Sequence, residues 1–70
     1  MKLSEELYER ILSNAPGGYL GLGWAVTDAK GARVDQLRPG GYIVAANYYG
    51  YVVLRAGEDM QLTECEREES

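Results

Sequence analysis

The segment Gly41–Arg55, GYIVAANYYGYVVLR, constrains the fold more than any other part of the chain. It is the longest run of β-branched and aromatic residues, and a turn sequence interrupts it. Val, Ile and Tyr suit a pleated, half-buried surface. Asn47-Tyr48-Tyr49-Gly50 fits a type I turn, with Asn first and Gly fourth. That turn pairs Ala46 with Tyr51, Val44 with Val53 and Tyr42 with Arg55. Side chains alternate across a strand, so this set shares one face of a β-hairpin. Ile43, Ala45, Val52 and Leu54 occupy the other. Both faces are apolar, whereas a sheet with one wetted face alternates apolar with polar. The second face therefore needs a cover: more of the same chain, as in a small barrel or sandwich, a second copy, or a partner.

Upstream, Leu3, Leu7 and Ile11 recur every four residues, with Tyr8 and Leu12 beside them, which marks one helical face. Ser4 is placed to cap the helix, with Glu5 and Glu6 in the favourable first turn. Leu3 before the cap is placed to pack on Tyr8 as a hydrophobic staple. Asn14, Pro16, Gly17 and Gly18 stop the helix, so it is predicted over residues 4–14. Residues 19–28 then alternate bulky Leu20, Leu22, Trp24 and Val26 with Gly21, Gly23, Ala25 and Thr27, a strand pattern with one bare side. Trp24 is expected to carry stability as a core residue would, and the bare side is expected to receive Tyr or Trp rings from a neighbour. The glycines follow a helix and enter a strand, the reverse of a dinucleotide-binding loop.

Asp28-Ala29-Lys30-Gly31, Arg38-Pro39-Gly40-Gly41 and Ala56-Gly57-Glu58-Asp59 are turn sequences. They delimit strands at 32–37, 41–47, 51–56 and 60–64, the first an edge strand bearing Arg33 and Asp35. Met60 and Leu62 are expected to point inward. Residues 65–70 read as an acidic, frayed tail. The expected fold is α+β: one N-terminal helix packed on a curled antiparallel β-meander of four to five strands, in a single domain spanning residues 1–70.

A chain of 70 residues buries only about 60% of its unfolded surface and is marginal without help. Help means disulfides, metals or association. Cys65 is the single cysteine, so no internal disulfide forms, and the absence of histidine removes ordinary zinc, copper and haem sites. No cofactor is implied. Association remains, and a homodimer is expected, with Cys65 free to link copies on oxidation. No apolar run reaches the roughly 18 residues of a membrane span and no signal peptide is visible, so a cytoplasmic location is expected, including the host cytoplasm for a protein encoded by a mobile element.

Catalysis is not expected. Without histidine the common general base is missing, and no two carboxylates are placed to form a sheltered acid–base pair. Glu5, Glu6 and Glu9 read as ordinary surface charge on the helix. Glu64, Glu66, Glu68 and Glu69 lack the ligand pattern of a calcium loop.

The net charge of −4 is uneven. Through Gly57 there are six basic and five acidic residues; from Glu58 onward there are six acidic and one basic. Such an acidic end repels nucleic-acid phosphate and attracts basic protein surfaces. Six tyrosines and no phenylalanine suit half-exposed interfaces. Together these features predict a non-catalytic protein–protein interaction module. The expected partner-binding residues are Tyr42, Tyr48, Tyr49, Tyr51 and Arg55 on the hairpin, and Glu64 and Glu66 as acidic contacts to a basic partner. Phage-encoded counter-defence inhibitors that occupy nucleic-acid-binding surfaces are analogous in size and charge. The alternatives are a homo-oligomeric structural or small-ligand-binding subunit, with a pocket between Trp24, Tyr42 and Tyr51, and a single-stranded nucleic-acid binder that stacks bases on the tyrosines beside Arg33, Arg38 and Arg55.

Overall fold

The structure, a computed structural model, describes residues 1–17, 23–47 and 49–68. In them one helix and six strands follow the chain: β1 (Lys2–Leu3), α1 (Glu5–Leu12), β2 (Gly23–Thr27), β3 (Arg33–Val34), β4 (Tyr42–Asn47), β5 (Gly50–Ala56) and β6 (Leu62–Arg67). Helix α1 starts where Ser4 Oγ accepts from the Leu7 amide at 3.2 Å, with Glu5 and Glu6 in the first turn. It ends at Ser13, short of the expected residue 14, because the amides of Asn14 and Ala15 turn back to Ile11 and Leu12.

The strands form one open sheet in the order β1-β6-β5-β4-β2-β3. The central hairpin has the predicted register, with Ala46 opposite Tyr51, Val44 opposite Val53 and Tyr42 opposite Arg55. The class is α+β as expected, but the topology departs from a four- or five-stranded antiparallel meander in two ways. First, β2 pairs with β4 over five residues, which leaves β3, only two residues long, at the edge. The chain crosses the end of β2 to make this possible. A Cβ on Gly41 would lie 2.5 Å from the Thr27 carbonyl oxygen, so only glycine lets the β3–β4 connection pass this close. The turn just before it is the predicted one: the Gly41 amide donates to the Arg38 carbonyl, and Gly40 has φ +88°.

Second, the first residues add a strand. β1 pairs parallel with β6, through Glu66 N–H to Met1 carbonyl and Glu68 N–H to Leu3 carbonyl, both 2.8 Å. Residues 65–67 of the segment expected to fray therefore belong to β6, which runs to Arg67. A strand of two residues carries no periodicity of its own, and its partner lies at the far end of the chain. Residues 19–22 of the predicted 19–28 strand lie outside the described residues.

Pairing assigns the faces. Ala25, Val44, Val53, Cys65 and Leu3 fall on one side, and Ile11 with Leu7, Tyr8, Leu12 and Ala15 packs on them; Ile11, Val44 and Val53 are fully buried. α1 crosses the strands rather than following them. Its start is held over β6 by Arg67, whose guanidinium donates to Glu5 and Glu9 and lies 5.0 Å from the Tyr8 ring centre. Its end is held at the β2–β3 turn, where Asn14 Nδ2 donates to the Gly31 carbonyl at 2.9 Å and Arg10 donates to the Lys30 carbonyl at 3.1 Å. Glu5 and Glu9 are thus the helix's tether to β6, and Glu6 pairs with Arg10 at 2.9 Å.

The predicted alternation in β2 is present, but its sides are reversed. The small side faces the core: Ala25 is buried under the helix, and a Cβ on Gly23 would meet the Pro16 ring at 3.2 Å. A helix end pressed against a strand needs small residues there, so Trp24 points the other way and is 69% exposed. Leu62 and Met60 are also exposed, contrary to the inward orientation expected of them.

Ile11→Ala is expected to cost about 2–5 kcal/mol, comparable to the whole stability of a domain this size. Trp24→Ala should cost less than about 1 kcal/mol. Urea unfolding of both variants checks the contrast.

Candidate functional site

The face opposite α1 carries Trp24, Ala45 and Val52 in one row across the strands, and Val34, Val26, Ile43 and Leu54 in the next. Continuing onto β6, the second row meets Glu64, and Glu66 lies two residues along the same strand, paired with Lys2 of β1. Val26 is buried, Val34, Ile43, Ala45, Val52 and Leu54 are half-buried, and Trp24 stands out from them. Among the described residues no helix or strand lies over this face. The one described helix packs on the other side.

The predicted binding residues separate on this framework. Tyr42 is a core residue, 4% exposed, and its ring is closed to a partner. Burial pushes its hydroxyl up from the usual phenol range, with the neighbouring Cys65 adding to this and Arg55 offsetting it. Arg55 is half-buried opposite Tyr42. Tyr51 is half-exposed on the helix side of the sheet, and Tyr49 stands 98% exposed at the hairpin turn. Tyr48 lies outside the described residues. Glu64 and Glu66 are exposed on the uncovered face. A pocket between Trp24, Tyr42 and Tyr51 does not form, because Trp24 lies on one face and the two tyrosines on the other.

The exposed aromatic side chains Trp24, Tyr49 and Tyr51 lie at the opposite end of the strands from Arg33, Arg38 and Arg55. Trp24, Tyr49 and Tyr51 cluster at the β4–β5 turn, where Gly23 aligns with Ala46 and Tyr51. Arg33 and Arg55 align with Thr27 and Tyr42 at the other end, about 10 Å away along the strands. Lys30 and Arg38 belong to the turns at that same end. A cleft of about 200 Å³ opens there, lined by Thr27, Asp28, Val34, Gln36, Arg38 and Pro39 among others. Its acid is already committed. Asp28 Oδ1 accepts from the amides of Ala32 and Lys30 at 3.0 and 2.9 Å, and these hold its carboxyl below the usual range.

Sequence reasoning missed Trp24 as a surface residue. The available clue was the glycine and alanine alternating with it, since the small side of a strand is the side a helix end can approach. It also missed Arg67. There the clue was Glu5 and Glu9, one helical turn apart, left without a basic partner on their own helix once Arg10 pairs with Glu6.

No protein-family model matches this sequence, and no curated protein or solved structure is significantly similar to it. Among the described residues, no helix is long and apolar enough to cross a membrane.

Cys65 is 3% exposed, and burial pushes its thiol above the usual range. Oxidative linkage of two copies through it is therefore blocked in the folded chain. Iodoacetamide should leave Cys65 unmodified in native protein and alkylate it fully in denaturant, as read by mass spectrometry. Asp28 gives a pH prediction. Folding lowers its pKa, so its contribution is complete above the ordinary carboxyl range and fades as pH falls through the lowered value. Asp28→Ala should lower the unfolding midpoint at about pH 7, and the gap to wild type should shrink below about pH 4.

Proposed function

We propose that this protein is a non-catalytic protein–protein interaction module that binds through the uncovered face of its sheet. One observation carries the reading: Trp24 stands 69% exposed on an apolar sheet face over which no helix or strand lies among the described residues. A large aromatic beside half-buried aliphatic residues is the composition of an interface core. The Tyr49 and Tyr51 rings extend the contact around the hairpin end. Glu64 and Glu66 border the apolar rows and suit a basic partner, so that the protein acts as a small acidic inhibitor occupying a basic, nucleic-acid-binding surface in the cytoplasm.

The separation of the aromatic end from Arg33, Arg38 and Arg55 weighs against a single-stranded nucleic-acid binder, which needs stacking rings and cations along one groove. A homodimer or larger homo-oligomer is the second reading, favoured by the same apolar face.

Affinity capture from the native host should retain a specific protein on the wild type, lose it on Trp24→Ser, and release it as salt rises. Equal capture by wild type and Trp24→Ser would remove this face from the function. Sedimentation of the free protein as a monomer at micromolar concentration would count against the homo-oligomer.

A further inference from the structure

We draw no further inference here: the strongest candidate, the apolar sheet face opposite α1 that runs from Val34 and Trp24 across β4 and β5 to Leu62 on β6, belongs to the site already described, and nothing in the structure shows what covers it.

Discussion

A helix of eight residues can sheathe only one side of a sheet, and this limit shapes the molecule. At 1.5 Å per residue α1 is about 12 Å long, and alone in water it would scarcely persist. It holds because Ile11 is fully buried against Val44 and Val53, and because both of its ends are tied down. Arg67 fastens the start to β6, and Asn14 and Arg10 fasten the end to the β2–β3 turn. Each device sets the helix across the strands on one face. With the helix committed there, the aliphatic residues of β4 and β5 that point the other way receive no cover among the described residues.

Much of this arrangement was legible in the residues. The hairpin register followed from Asn47 and Gly50 bracketing a turn, since a period of two propagates the pairing without further information. The helix followed from Leu3, Leu7 and Ile11, and its start from Ser4. The turns at Asp28, Pro39 and Gly57 were marked by residues whose local chemistry is nearly sufficient to make them. What could not be read locally was pairing between distant parts of the chain. β1 is two residues long and exists because β6 passes beside it. The placement of β4 against β2 depends on Gly41 slipping past the Thr27 carbonyl, a contact that no sequence pattern announces.

The candidate site shows the same division. Two-sided apolarity in the central hairpin was visible from the start, but which side the helix would take was not. Tyr42, Val44 and Val53 went under the helix, so Tyr42 left the set of binding candidates while Trp24 entered it. Alternation in β2 separated bulky from small residues correctly, and the inference that bulk means core failed because a helix end packs best on Gly23 and Ala25. Glu64 and Glu66 kept their exposure, but as strand residues bordering an apolar band rather than as part of a loose tail. An acidic border held rigidly at a fixed distance from Trp24 carries geometric information that a frayed tail would lack.

The central claim is that α1 closes one face of the sheet and that no helix or strand among the described residues covers the aliphatic side chains of β4 and β5 on the other. Solvent paramagnetic relaxation of methyl groups, measured by NMR on dilute protein with a soluble gadolinium complex, tests it most directly. Val52, Leu54 and Ile43 should relax much faster than Val44, Val53 and Ile11. Equal protection of the two sets in a monomer would contradict the account.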